Sequence, residues 1–567
     1  MSLKLETYKL ELEEFCLHIA QLILYTMASN LLIAAVLFAM GMTVTALLLP
    51  ASFITGVILL AAFYGKKIDR MIAFEVIGTV ILFVVLTWFA GLFYDMSWDG
   101  NAYHKMAVGL LKNNWNPLKE LPSLSITEGA GISSGNELWI EAYCKMTWIF
   151  AASIYAITGN IETGKMYTLL GMVCAFLITV AFLKKKKKSN GFCFIFALIA
   201  ALNPIAVLQM DSFYIDGFLH VILYILVISL IMETDSKCFQ SWRSRSLIAA
   251  SMIVCGNIKF TGLLYGGIFC IAYYIWKCIG IIKNNKTGWF RPCLYSGLRY
   301  LGLALVTMFW AGSSTYLTNL INHKTFTYPL TGENPVDIVT VHSPFTEVNR
   351  VKNLLISLFS KLDNCSVTSG GVPELKVPFK VYWAEEGQFL SIPDARVSGF
   401  GVFFGGIIII STVTLVIGLL KMKKDYKFQI VLLNVIVCLG LTLGITESWW
   451  ARYAPYLYFL PLLATYIVLD SKKRMVKAIG VLLSMLMLLN NCLPIYRIPR
   501  DILSSRKISQ KIEALKNNDS VYVYTPSFEG IYFNLRDQGV IYSLNSDLLE
   551  DEHAVSLGYG DVKWKSQ

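Results

Sequence analysis

The sequence predicts an all-α polytopic membrane protein of about thirteen transmembrane helices, with large outer loops and a small α/β tail. Three observations carry this prediction. Of 567 residues, 55% are hydrophobic and 15% charged, with a mean hydropathy of +0.56, so too little polar surface exists to cover a water-soluble fold of this size. Windows of about 20 mostly apolar residues, the length that crosses a bilayer, recur from end to end. Lysine and arginine gather in short connections that alternate along the chain.

In order, apolar windows fall near 17–40, 44–64, 71–93, 164–183, 191–208, 217–232, 246–258, 261–280, 299–318, 399–420, 427–445, 453–469 and 475–493. A further run at 142–158 reads as a helix half-sunk in one leaflet. Glu6, Glu11, Glu13 and Glu14 precede the first window, a composition unlike the basic start of a cleavable signal peptide. The first span is therefore expected to be retained.

The net charge of +11 encodes orientation; it does not mark a nucleic-acid partner. Lys66, Lys67 and Arg70, Lys184 to Lys188, Lys237, Arg243 and Arg245, Lys277, Lys283, Lys286 and Arg291, Lys421, Lys423, Lys424 and Lys427, and Lys472, Lys473, Arg474 and Lys477 all fall on one side of the predicted topology. The positive-inside bias makes that side cytoplasmic, with the N-terminus inside and the C-terminus outside. The lysine-rich style points to a bacterial plasma membrane. Twelve scattered cysteines without a CxxC pair read as small apolar residues. Cys144, Cys365 and Cys492 lie near the outer surface, where one disulfide could form.

Three outer regions are long enough to carry function. Loop 94–163 holds a Gly/Ser-rich stretch at Glu128–Glu137. Loop 319–398 is broken by Pro329, Pro335, Pro344, Pro373, Pro378 and Pro393. Tail 494–567 predicts a helix at 500–517 and an alternating strand at Val521–Tyr524. The chain thus divides into two additional spans at 1–70, a transmembrane domain at 71–493 and the tail at 494–567. There is no repeat of fixed period and no inverted pair of broken spans. Ionisable residues collect at span ends, whereas transporters tend to place them at midplane.

The segment Tyr94-Asp95-Met96-Ser97-Trp98-Asp99-Gly100-Asn101-Ala102-Tyr103-His104 follows the third window directly. Apolar residues at Tyr103, Met106, Ala107, Leu110 and Leu111 predict a helix lying along the membrane surface. Asp99 could take a proton from a hydroxyl or hold a divalent cation; the structural alternative is that it is that helix's N-cap. Asp95 and His104 read as supporting groups or as ordinary interfacial polar residues. Asp211 and Asp216 share one short turn and would repel each other without a cation or donor between them. Asp216 could also simply start a helix.

Isolated cations at outer span ends suit an anionic ligand. Lys259 interrupts an apolar stretch, and Arg396 and Arg452 break the scarcity of outer positive charge. Arginine grips a phosphate through two parallel hydrogen bonds. Snorkelling to headgroups, or local pairs of Asp394 with Arg396 and Glu447 with Arg452, are the structural alternatives. Trp449 and Trp450 read as interface anchors.

An acidic motif in the first outer loop, many spans and a long second outer loop before the last spans resemble the GT-C glycosyltransferases, which use lipid-phosphate-linked sugars. The resemblance is to the branch containing the aminoarabinose transferases of lipid A and the protein O-mannosyltransferases. It covers roughly 71–470. That branch carries Asp-Glu-x-x-Tyr/Phe, and Asp99-Gly100-Asn101-Ala102-Tyr103 matches its first and fifth positions. Gly100 stands where the second acid falls, which leaves cation use open. Asp216 resembles the second acidic position; Tyr328–Gly332 and Asp394–Gly401 look like segments of this group.

The resemblance implies an inverting transfer of a single sugar from a polyprenyl-phosphate donor to a cell-surface glycan, lipid or protein acceptor, as in polysaccharide biosynthesis at the cell envelope. Asp99 would be the base, with Asp95, His104, Asp211, Asp216 and Glu447 supporting it. Lys259, Arg396 and Arg452 would hold the donor phosphate. A divalent cation, if present, would sit on Asp99 and Asp216. A lipid-linked saccharide flippase or exporter, and a glycan polymerase or ligase, are the alternatives.

Overall fold

The structure is a computed structural model that describes residues 12–64, 70–122, 134–235, 238–284, 287–337, 342–345, 349–363 and 373–567. Glu6, Glu11, Lys66, Lys67, Lys237, Lys286, Cys365 and residues 128–133 of the Gly/Ser-rich stretch lie outside the described residues. The chain is mostly helical. The bundle helices are α1 Leu12–Ala39, α2 Leu48–Tyr64, α3 Arg70–Ala90, α4 Tyr167–Lys185, α5 Asn190–Ala201, α6 Asp216–Thr234, α7 Ser241–Gly256, α8 Phe260–Asn284, α9 Phe290–Leu305, α10 Phe404–Lys421, α11 Tyr426–Gly444, α12 Pro455–Leu469 and α13 Arg474–Cys492.

Every predicted window overlaps one of these helices, yet nine helices among the described residues are long and apolar enough to cross a membrane. Helices α2, α5 and α12 are apolar but shorter, and α7 carries Arg243 and Arg245 in its first two turns. Length and hydropathy alone thus account for nine of the thirteen expected crossings among the described residues. The shortfall arises where breaks split apolar windows. The window near 191–208 is cut at Leu202, where Asn203 accepts from the Ile205 N–H and Pro204 starts a fresh turn.

Two charged belts mark opposite ends of the bundle. At one end Glu14 meets Lys185 and Arg243, Lys186 meets Asp235, Glu233 meets Arg245, Lys277 and Arg299, and Asp470 meets Lys188 and Lys427. At the other end lie the first residue of α6, Asp216, and the residues just before α8, α10 and α12. The 19 residues of α6 separate the two belts by about 28 Å, close to the hydrocarbon thickness of a bilayer. The apolar interior has an exception: His18 of α1 and Glu75 of α3 are buried together, Nδ1 to Oε1 at 2.8 Å.

Two expected surface elements are buried instead. Gly100–His104 forms a π turn and Lys105–Lys112 a helix of which residues 105–111 are all buried. The run at 142–158 is a helix, Met146–Thr158, whose Trp148, Phe150 and Tyr155 are fully enclosed. They pack on each other and on the first two helices, and the tail closes over them at Lys105, Gly109 and Tyr155. Helices α14 (Ile498–Leu515) and α15 (Ile531–Asp537) pack against a four-stranded sheet of order β2-β1-β4-β3. Its strands are β1 Val521–Tyr524, β2 Tyr542–Leu544, β3 Val555–Ser556 and β4 Lys563–Ser566, with β1 parallel to β2 and antiparallel to β4. Ile508, Ile512, Val521, Val523, Leu535 and Val562 make its core. All cysteines among the described residues, Cys144 and Cys492 included, are free thiols.

Candidate functional site

Asp99 precedes the π turn in right-handed helical conformation and caps nothing with its side chain. The cap role is thus not used, and the carboxylate turns instead to Arg452, whose Nη1 donates to Oδ2 at 2.9 Å. A π turn widens the backbone by one residue and is common at functional positions. Gly100 is required here: a Cβ would stand 2.0 Å from Asp95 Oδ2 and 2.3 Å from Ser97 Oγ. The position at which the resembled motif carries a second acid is therefore closed by Asp95, which lies beneath it.

Arg452 sits in a short 3-10 turn ahead of α12 and is the hub of the cluster. Besides Asp99 it faces Asp394, Nε to Oδ1 at 3.2 Å, and Asp216, Nη1 to Oδ2 at 3.7 Å. Asp216 in turn accepts from Lys259 Nζ at 2.8 Å. Asp394 Oδ2 accepts from Arg396 Nε at 2.7 Å. Aromatic rings flank the cations. The Lys259 ammonium lies 3.8 Å from the Tyr453 ring centre; Arg452 lies 5.0 Å from Tyr214 and 4.9 Å from Trp450, and Arg396 lies 4.7 Å from Trp450. Trp450 is therefore a wall of this cluster and not an interface anchor.

The loops that present these groups are locked to each other. The Ala451 N–H donates to the Arg396 carbonyl and the Arg452 N–H to the Ala395 carbonyl, both at 3.2 Å. Gln209 donates to the Pro393 carbonyl and accepts from the Gly217 N–H. Ala395 and Ser398 adopt positive φ of 38° and 52°, costly for residues with a Cβ and concentrated at the segment that presents Arg396.

Charge in the cluster balances: Asp99, Asp216 and Asp394 face Lys259, Arg396 and Arg452. Burial opposes the charge of Lys259, but Asp216 outweighs it and holds the ammonium well above its ordinary pKa. Burial likewise opposes the Arg452 charge and is overcome chiefly by Asp394, so the guanidinium stays ionised. For Asp394 burial wins, and its carboxyl is raised despite Arg452 and Arg396. Asp99 and Asp394 each keep about 15% of their side chain exposed against 3% for Asp216; Asp394 is taken up by Arg396 and faces Arg452, and Asp99 meets Arg452 alone.

Of the expected site residues, Asp99, Asp216, Lys259, Arg396 and Arg452 come together. His104 stands beside them, but burial pushes its pKa down to about 3, and its Nδ1 accepts from Trp148 Nε1 at 2.8 Å. It stays neutral and holds position. Asp211 belongs elsewhere: Arg497 grips both its oxygens at 2.7 and 2.8 Å, so the two acids of that turn are served by different cations. Glu447 lies in the turn before Trp450, and the anions that Arg452 meets are Asp99, Asp216 and Asp394, not Glu447. Asp95 accepts from the Ser97 and Phe213 N–H groups and braces the loop from below. Asp394, expected as a local partner of Arg396, also contacts Arg452 and so belongs to the cluster.

Asp99 and Asp216 do not fit a shared divalent cation, because the Arg452 guanidinium occupies the space between them. Among the described residues no group of three or more His, Cys, Asp or Glu is placed to hold a metal.

The tail reaches the same loop. Tyr559 OH donates to the Asn101 side-chain oxygen at 2.6 Å, and the Gly530 N–H to the Asn101 carbonyl at 2.9 Å. Fully buried Lys105 joins Glu162 at 2.7 Å, Tyr559 at 2.9 Å and Asn534 at 3.1 Å. On the far side Asp537 accepts from Tyr155 OH and from the Ile161 N–H at 2.8 Å.

Burial raises the Asp537 pKa to about 6, against the hydrogen bonds from Tyr155 and Ile161. The folded state then binds more protons than the unfolded one between its ordinary 3.8 and about 6, so docking weakens as pH rises through that window. We expect the thermal midpoint to fall between pH 5 and 7.5 by an amount worth on the order of 1–2 kcal/mol that Asp537→Asn removes. An unchanged pH difference in the variant would exclude this residue as the source.

No protein-family model and no curated protein sequence matches the chain.

Proposed function

We propose that the chain is a GT-C-like membrane glycosyltransferase. It would move one sugar from a polyprenyl-phosphate donor to a hydroxyl acceptor on the membrane face opposite the lysine-rich belt. The observation that carries this reading is Arg452 held between Asp99 and Asp394: a partly exposed carboxylate hydrogen-bonded to a guanidinium that also faces a second carboxylate, at a span end. A base and a phosphate grip at that separation suit a reaction in which a hydroxyl is deprotonated while a phosphate departs.

In the proposed step Asp99 takes the proton of the acceptor hydroxyl. The hydroxyl oxygen bonds to the anomeric carbon as the carbon–oxygen bond to phosphate breaks, and that electron pair leaves with the phosphate. Inversion follows from single displacement. Arg396, Arg452 and Lys259 stabilise the growing charge, and Asp394 is the anion that the donor phosphate replaces on Arg396. The isoprenoid tail stays among the helices, which accounts for a membrane-bound catalyst. Envelope glycans of a bacterial plasma membrane are the expected products. The thirteen-span GT-C arrangement and the outward C-terminus belong to this reading.

The test is purified protein in liposomes with polyprenyl-phosphate sugar on one face. Release of free polyprenyl phosphate, one per sugar transferred, is expected. Movement of intact lipid-linked saccharide across the bilayer without its consumption would overturn the reading in favour of a flippase, and multi-sugar additions would favour a polymerase or ligase. Arg396→Ala is expected to raise the donor KM about ten-fold or more while Asp99 chemistry persists, as removal of one charge-assisted contact implies.

A further inference from the structure

A second chamber lies at the lysine-rich end, remote from Asp99. Phe182 of α4, Phe196 of α5, Val227 and Ile231 of α6, Val431 of α11 and Phe459 of α12 enclose a cavity of about 240 Å³. Its walls are apolar, buried at Phe182, Phe196, Val227, Val431 and Phe459 and half-buried at Ile231. Three ammonium groups, Lys186, Lys188 and Lys427, ring one end together with Tyr426 and Tyr466. Tyr426 is exposed and Lys186, Lys188, Lys427 and Tyr466 are half-buried, so the chamber opens at this end.

Two carboxylates answer the three lysines. Lys186 pairs with Asp235, while Lys188 and Lys427 share Asp470. The rim keeps one positive charge beyond its own anions. At the chamber wall Asn434 donates to Tyr273 OH at 2.7 Å and to the Ile430 carbonyl at 2.8 Å, and its side-chain oxygen has no hydrogen-bond partner. An apolar chamber under a cationic rim between spanning helices has the chemistry of an amphiphile with a phosphate head. Water does not fill such walls, which offer too few polar partners.

We propose that this chamber binds an anionic phospholipid of the leaflet opposite the Asp99 cluster. One acyl chain enters between α6, α11 and α12, and the phosphodiester sits among Lys186, Lys188 and Lys427. A single surplus charge matches a singly charged diester. The tyrosines Tyr426 and Tyr466 lie beside Lys186 and Lys427, ring to ammonium 5.9 and 5.0 Å, at the depth where a glycerol backbone rests. Because α6 separates the two belts by about 28 Å, this lipid's headgroup cannot be the phosphate handled by Arg396 and Arg452.

Full-length protein, stripped of lipid in detergent, is titrated with phosphatidylglycerol and with phosphatidylcholine of the same chains and read by native mass spectrometry. We expect at least a ten-fold preference for phosphatidylglycerol. Lys186→Gln, Lys188→Gln and Lys427→Gln together abolish the preference, at roughly five-fold per lysine. Val431→Phe, which fills the chamber and leaves the rim intact, weakens both lipids about equally. Should the triple variant not fold, Lys427→Gln alone with Val431→Phe decides. Equal binding of the two lipids, adducts unchanged in the variants, or tighter binding of a polyprenyl phosphate than of phosphatidylglycerol would each overturn the proposal. Binding is the readout, so the result is independent of whether the Asp99 cluster transfers sugars.

Discussion

Asp99→Asn is expected to slow the proposed sugar transfer by about 10²–10⁴-fold, the range that one positioned general base supplies. The amide keeps the size of the carboxylate, and its oxygen can still accept from Arg452 Nη1, which stands at 2.9 Å in the native protein. Asp216 and Asp394 continue to balance the guanidinium. Folding and donor binding should therefore survive, and the loss should fall on kcat, with the donor KM within a few-fold. Purified variant, radiolabelled donor and a thermal midpoint measured beside the rate make the check. Transfer at the native rate would remove Asp99 from the role of base. A collapse of the thermal midpoint would make it a structural anion.

The second large effect is on stability. Glu162 is buried between Lys105 and Lys165, with Oε1 2.7 Å from the first ammonium and Oε2 2.5 Å from the second. It also accepts from Asn534 Nδ2 at 3.0 Å and from the Asp95 N–H at 3.1 Å. Glu162→Ala leaves two ammonium groups with no exposed surface in a protein interior short of anions. Breaking a buried pair in this way costs about 3–5 kcal/mol. The expected result is a tail that detaches from the loop carrying Asp99, seen as rapid protease cleavage within 498–567 and a lowered thermal midpoint. Glu162→Gln, which retains an acceptor, should lie between. A tail as protected as in the native chain would show that its docking rests on apolar contact, such as Phe533 on Gly109, and not on this ion group.

The helical frame was legible because bilayer length and apolar composition act locally, within each window. Span number was less so, since α5 and α12 are short helices whose burial comes from neighbours. The charged cluster was half legible. Lys259, Arg396 and Arg452 each announced themselves as expensive charges at span ends, but sequence alone gave no way to see that one guanidinium would join three carboxylates. Asp394 was hidden by its neighbour Arg396, two residues away. Glu447 illustrates the converse error, for proximity in sequence to Arg452 says little once a 3-10 turn directs the guanidinium inward. The tail's reach to Asn101 and Lys105 depends on contacts across more than 400 residues, and no local pattern records them. Their one trace was Lys105 itself, a lysine inside an otherwise apolar helical face.

Arg452 has a further consequence in the proposed transfer. Before reaction its single positive charge is divided among Asp99, Asp394 and Asp216. When Asp99 takes the acceptor's proton it ceases to be an anion, and the share of the guanidinium it held is released. At that moment the departing phosphate gains negative charge on the other side of the same guanidinium. Proton uptake and leaving-group departure would thus be two ends of one balance beam with Arg452 as the pivot, so neither could run far ahead of the other. Lysine at this position, with one compact ammonium in place of a planar fork, could press on one end only.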